Sequence, residues 1–238
     1  MKKIFFGFFC IVILCMSGCF KVEPTEDIFV FRAPATVQLN STMELVVSSK
    51  AGVYLAPELE SKLVTEIDIG DLIFTLFYVN FSKPQSLSGF YTAYDINWAK
   101  VYTRTPVATE DGVSETGDYD SPIKEIEVLD FWKNFLYFGL VHSAPKDQQF
   151  TYEMTYDINE TGNSPTVYIR AKKTGEEITG EIINTAMFYA FDMTELGLKF
   201  KDLENKLNLN VKFKTGVNND GDDVFKNFPY NPIFIQFE

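Results

Sequence analysis

The chain has 238 residues, 33 of them acidic and 21 basic, for a formal net charge of −12. That balance leaves no basic stripe to neutralise phosphates, which argues against nucleic acid as a partner and against charge-driven adhesion to anionic headgroups. Cysteine occurs only as Cys10, Cys15 and Cys19, so no disulfide framework or cysteine metal site is expected beyond residue 19.

The first elements are those of an export signal. Lys2 and Lys3 precede an apolar run from Ile4 to Met16, which is shorter than the ~20 residues a membrane span needs. Ser17 and Gly18 then stand directly before Cys19. Small residues there let a signal peptidase approach the backbone while the Cys19 thiol takes a lipid, so residues 1–18 read as a lipoprotein signal peptide. Met16 stands where leucine is usual. The competing reading is an ordinary secretory signal cut elsewhere, with Cys19 incidental. Lipidation also answers what happens to an unpaired thiol in an oxidising compartment, because acylation consumes it. Removing residues 1–18 leaves 19 basic and 33 acidic residues, a net charge of −14. Residues 19–27 read as a short polar tether.

From residue 28 onward period-two alternation dominates, as β-structure requires. Strands are expected at 28–32, 36–39, 43–48 and 72–79. Leu72, Phe74, Leu76 and Tyr78 alternate with Ile73, Thr75, Phe77 and Val79, so both faces of that last strand are apolar and it is expected to be central. A run at 90–104 follows, with Trp98 on its core-facing side beside Tyr94 and Ile96. Further strands are expected at 131–142, 149–158, 165–172, 185–193, 207–214 and 233–237. Leu207, Leu209, Val211 and Phe213 form a buried face there, opposite Asn208, Asn210, Lys212 and Lys214. Pro232 suits the entry to the last strand. The two short helix candidates are 57–63, after Pro57, and 194–206, with Thr194 as a possible cap. The abundance of Phe (23) and Tyr (12) fits packing across paired strands.

The most polar break runs from Thr105 to Pro122. It divides the mature chain into about five strands in ~80 residues, which fit a small barrel, and about seven in the next ~115, which fit a sandwich. The expected fold is therefore all-β: a small barrel at 28–108, a linker at 109–122 and an antiparallel β-sandwich at 123–238. One continuous sandwich with a long loop is the alternative.

Sites of chemistry are few. His142 is the sole histidine; it reads as a strand-end residue with a satisfied hydrogen bond rather than as a general base or a metal ligand, because no second histidine or free cysteine accompanies it. Asn218-Asn219-Asp220-Gly221-Asp222-Asp223 clusters oxygen donors around a glycine, which makes Asp220, Asp222 and Asp223 candidate calcium ligands. An EF-hand counted from Asn218 would need glycine sixth and glutamate twelfth, where this chain has Asp223 and Pro229. A polar turn between two strands accounts for the same residues. No nucleophile elbow, P-loop or dinucleotide fingerprint is present, and no cofactor is implied.

The lipobox at Cys19, the strand Gly70-Asp71-Leu72-Ile73-Phe74-Thr75-Leu76-Phe77-Tyr78-Val79 and the aromatic run Asp130-Phe131-Trp132-Lys133-Asn134-Phe135-Leu136-Tyr137-Phe138 together resemble the NigD-like lipoproteins of Bacteroidetes. That resemblance covers most of residues 28–238 and implies an oligonucleotide/oligosaccharide-binding (OB) type barrel followed by a β-sandwich in the cell envelope. It brings no catalytic residues. The expected function is that of a non-enzymatic protein, held to the outer membrane by its lipid and binding an envelope protein or glycan. The acids after Cys19 fall late for a surface-export patch, so the leaflet stays open. The other classes are a fimbria-type structural subunit and a surface glycan hydrolase.

Overall fold

The computed structural model describes residues 27–112 and 119–237; the signal segment, Cys19 and the tether to residue 26 lie outside them. Strands hold 57% of the described residues and helices 6%, so the layers of this all-β protein are sheets.

The first sheet takes β1 (Ile28–Leu39), β2 (Leu45–Ser49), β3 (Gly52–Leu55), β4 (Leu72–Asn80) and β5 (Ala93–Lys100) in the order β3-β2-β1-β4-β5. β4 is central, as its two apolar faces require, and Ile73, Phe77 and Val79 are buried. The two strands expected at 28–32 and 36–39 are one. β1 passes through Pro34 because it changes partners there: residues 28–36 pair with β4, while 35–39 also pair with β2. Pro34 itself is paired on one side only, where a missing N–H costs little. A 3-10 turn at Pro57–Lys62 drops Leu59 into the sheet's concave side. The two edges of the sheet touch through one parallel bridge, Leu55 to Thr92. The sheet expected to be a small barrel therefore curls without closing.

Two further sheets follow. β6 (Tyr102–Arg104), β8 (Glu125–Trp132), β9 (Phe135–Pro145) and β12 (Ile182–Asp192) form a four-stranded sheet of order β6-β12-β9-β8. β7 (Val107–Thr109), β10 (Gln149–Asp157), β11 (Thr166–Thr174), β13 (Lys206–Val217) and β14 (Asp223–Asn227) make the other, with β15 (Ile233–Gln236) also on β13. Leu136, Phe138 and Leu140 from one sheet and Tyr152, Met154, Val167, Ile169 and Leu209 from the other share one buried core. Each such side chain, fully removed from water, contributes about 1.5–3 kcal/mol before entropy is counted.

Four further expectations change. The strand expected at 131–142 is a hairpin, because Lys133 (φ 50°) and Asn134 (φ 63°) form a two-residue turn with both residues left-handed, the geometry of a type I′ connection. The aromatic run 130–138 thus straddles β8 and β9. The expected run 90–104 ends at Lys100, and β6 crosses over to pair with β12. Within the polar break at 105–122, β7 leaves the expected barrel region to pair in parallel with β10, and in the expected linker Ser121 N–H donates to Ala171 O at 3.0 Å. Polar composition there reflects a segment laid on a sheet, with residues 113–118 outside the described part. Likewise Thr194 does not cap its helix α1 (Thr194–Phe200); the Asp192 carboxylate accepts from the Thr194 N–H at 3.0 Å instead.

The first sheet docks on the outer face of the four-stranded sheet through Phe74 and Val101, which pack with Trp132, Tyr137 and Ala190. Phe74 stacks on Phe188 with ring centroids 5.1 Å apart. On the far side, α1 closes one end of the shared core, and Gly197 is where the terminal Phe237 presses against it. A Cβ at 197 would lie 2.4 Å from the Phe237 ring. Alanine is the better helix former by about 1 kcal/mol, yet Gly197→Ala is expected to destabilise by about 1–3 kcal/mol, since Phe237 must leave its place on Phe131. A chemical-denaturation midpoint at or above that of the unaltered protein would contradict this packing.

Candidate functional site

The sheet that receives the first unit continues beyond the contact, and there its outer face is hollow. Gly139 in β9 is flanked across the strands by Glu127 in β8 and Phe188 in β12, and the next row places Glu125 opposite Val141, with Ala186 on its other side. Small residues at 139 and 186 lower the floor, while Phe188, Arg32 of β1 and Tyr230 rise as walls around a groove of about 490 Å3. That volume lies in the ~300–1,000 Å3 range of small-ligand sites. Arg32 reaches in from the first sheet, its guanidinium 5.2 Å above the Phe74 ring and 3.6 Å from Glu127. Both partners of that ion pair are more than half exposed, so it adds little stability and its charges remain available to a ligand.

Tyr230 is 79% exposed, but its loop is fixed. The Asn231 side chain accepts from Val211 N–H and donates to Val211 O, both at 2.9 Å, and Phe228 packs edge-on to Tyr230 at 5.5 Å. An aromatic face, two carboxylates and a guanidinium can stack on and hydrogen-bond to a polar ligand. The ionisable side chains of the lining are Arg32, Glu125, Glu127 and Tyr230.

The residues singled out from sequence lie elsewhere. His142 is inside β9 rather than at its end, because the strand runs on to Pro145. It is 2% exposed, stacked on Phe150 at 3.9 Å, with Nδ1 2.8 Å from Pro122 O. Its Nε2, the Tyr152 hydroxyl and the Thr185 hydroxyl are buried without a hydrogen-bond partner among the described residues, and Thr185 is the direct cross-strand neighbour of His142. Burial drives the His142 pKa down to about 4, against the raising effect of the Pro122 contact, so the ring is neutral and structural. Trp98 packs half-buried against the first unit's core, as expected, and Trp132 lies in the junction between the units.

The acidic turn is built around Asn218, whose side-chain oxygen accepts from the N–H groups of Asp220 and Asp222 at 2.9 and 2.8 Å. Asp223 points away from it. Its carboxylate accepts from Lys214 Nζ at 2.5 Å and from Arg170. Burial pushes the Asp223 pKa up, but hydrogen bonds from Lys214 and Arg170 outweigh it and hold the group below the usual carboxylate range. Asp223 is thus not free to join Asp220 and Asp222 around a cation. No three His, Cys, Asp or Glu side chains among the described residues converge as a metal site. Sequence reasoning placed Lys214 on a solvent face; it is 4% exposed because the 119–123 segment covers that face, with Tyr119 O accepting from its Nζ at 3.0 Å. Sequence reasoning also missed Arg32, Glu125, Glu127 and Tyr230. No spacing in the chain links them, since the groove forms only when β1 docks beside β8.

No protein-family model matches the chain, and no curated protein does. Among solved structures, an uncharacterised protein from Parabacteroides merdae has a TM-score of 0.60 at 18% identity, over 83% of this chain and 95% of its own. A candidate lipoprotein from Bacteroides fragilis has a TM-score of 0.54 at 13% identity, over 84% and 96%. The chain shares the fold of these Bacteroidetes proteins. A NigD-like immunity protein from Bacteroides caccae also stands among the similar structures, at a TM-score of 0.49 and 14% identity over 86% and 97%.

Proposed function

We propose that the protein is a NigD-like lipoprotein of the Bacteroidetes cell envelope, anchored to the outer membrane by lipid on Cys19, that works by binding a protein or glycan partner rather than by catalysis. The observation that carries this reading is the sequence Ser17-Gly18-Cys19 after a short apolar run behind Lys2 and Lys3. The fold shared with a candidate lipoprotein supports it, and the groove around Arg32, Glu127 and Tyr230 offers the contact surface. On this reading the first sheet is a partly open barrel of OB type, with the bridge at Leu55 and Thr92 as its seam, and the two remaining sheets are a β-sandwich.

Metabolic labelling with an alkyne fatty acid tests the anchor. The unaltered protein is expected to carry the label, and Cys19→Ala to lose it. A Cys19→Ala protein labelled as strongly as the unaltered one would refute lipidation at this residue. Binding is tested by glycan arrays and by crosslinking in cells, comparing the unaltered protein with Tyr230→Ala; a partner retained at full strength by the variant would place the contact outside the groove.

A further inference from the structure

We infer that the groove takes an extended peptide of alternating basic and apolar residues, added as a strand to the free edge of β8. This rests on the contact-surface reading above and commits the groove to a protein partner rather than a glycan. β8 pairs with β9 and with no other strand among the described residues, so it is the last strand of its sheet. An edge strand carries a row of backbone N–H and C=O groups directed away from its own sheet, the template for strand addition. Glu125, Ile126, Glu127 and Val128 all line the groove. Successive residues of a strand point to opposite faces. An opening bordered by all four therefore runs along the edge itself as well as over the outer face.

The stretch open to a partner is bounded at one end. Beyond the bulge between Val128 and Asp130, Lys50 Nζ donates to Phe131 O at 3.4 Å and to the Asp130 carboxylate at 3.0 Å. Phe131 there packs edge-on to Phe237 at 5.2 Å. The residues from Glu125 to Val128 span about 13 Å, the length over which a short peptide can pair. Their two faces differ in chemistry. Glu125 and Glu127 are exposed on the outer face, and Arg32, 3.6 Å from Glu127, is the one cation of the lining. Two carboxylates against one guanidinium leave that face negative. Ile126 and Val128 alternate with them and pack in the core cluster that holds Phe228. A strand laid beside β8 presents its own side chains to these two faces in turn. Lysine beside the carboxylates and valine beside the apolar pair make favourable cross-strand contacts, whereas acidic side chains meet like charge.

Fluorescence anisotropy with the purified mature protein tests this on a synthetic probe, the capped and fluorescein-labelled peptide Thr-Lys-Val-Lys-Val-Lys-Thr. The peptide is expected to bind, and its counterpart with glutamate in place of lysine to bind roughly fivefold more weakly. Glu125 and Glu127 are both exposed, so the double variant Glu125→Lys, Glu127→Lys disturbs no core, and it is expected to reverse that preference. N-methylation of alternate amides separates strand addition from general attraction to an acidic protein. One alternate set faces β8, and methylating it is expected to abolish binding; methylating the other set is expected to leave binding unchanged. Absence of binding, equal effects of the two methylated sets, or a charge preference that the double variant does not reverse would each overturn the inference. So would a glycan whose binding requires Tyr230. A partner crosslinked in cells and lost with Tyr230→Ala would still mark the groove as the contact surface in those cases, so the two readings fail separately.

Discussion

Asp223→Asn is expected to destabilise the protein by about 3–5 kcal/mol, the cost of withdrawing a carboxylate that two buried cations share. Arg170 and Lys214 project from the outer face of β11 and β13, and their side chains are 7% and 4% exposed. Both donate to Asp223, which comes from β14 across a bulge in the β13 pairing. The comparison that identifies the cause is Lys214→Met. Lys214→Met withdraws one cation and leaves the Arg170–Asp223 ion pair in place, so this variant should lose less than Asp223→Asn. Urea denaturation of both variants at pH 7.5 decides it. If Asp223→Asn unfolds at the same midpoint as the unaltered protein, the cluster contributes no net stability.

The second large effect is on the dependence of stability on pH. His142 has its pKa lowered to about 4 in the folded protein by burial, against an ordinary value near 6.5 in the unfolded chain. Between these values the unfolded state binds the extra proton, so stability is complete above pH 6.5 and falls as the pH drops toward 4. The loss is about 2 kcal/mol at pH 5 and about 3 kcal/mol once both states are protonated. As the chain's sole histidine, His142 is the main expected source of such a slope between pH 8 and 5. His142→Phe is expected to keep the stacking on Phe150 and to flatten the slope in that range, whatever it does to the stability at pH 8. A slope unchanged by the substitution would show that the ring is protonated in the native state. Asp223 acts in the other window: its folded pKa is depressed, so its contribution persists until the pH falls below the ordinary carboxylate value.

Much of the fold was legible because burial imposes a period of two on any strand with one apolar face. The central position of β4 and the inward face of Leu207, Leu209, Val211 and Phe213 follow from that alone. What escaped has physical reasons as particular. The Lys133-Asn134 turn lacks glycine and interrupts an aromatic run, so the hairpin of β8 and β9 reads as one strand. Lys214 alternates outward like any solvent-facing residue, and only the return of residues 119–123 over the sheet buries it. The groove was not legible at all. Its carboxylates, arginine and tyrosine come from β8, β1 and the loop before β15, and what gathers them is a docking of sheets that local pattern does not encode.

The short crossing at 102–109 bears on the order in which the molecule is made. β6 needs β12, so Tyr102 waits for Tyr189, and β7 needs β10, so Thr109 waits for Asp157. The first sheet closes its hydrogen bonds among residues 28–100, whereas the stretch that joins it to the rest finds its partners only beyond residue 150. Contacts this distant in sequence make for slow folding. The two units thus differ in what they wait for: the first needs nothing beyond residue 100, while the four-stranded sheet gains its β6 edge only once residues 189–191 are present.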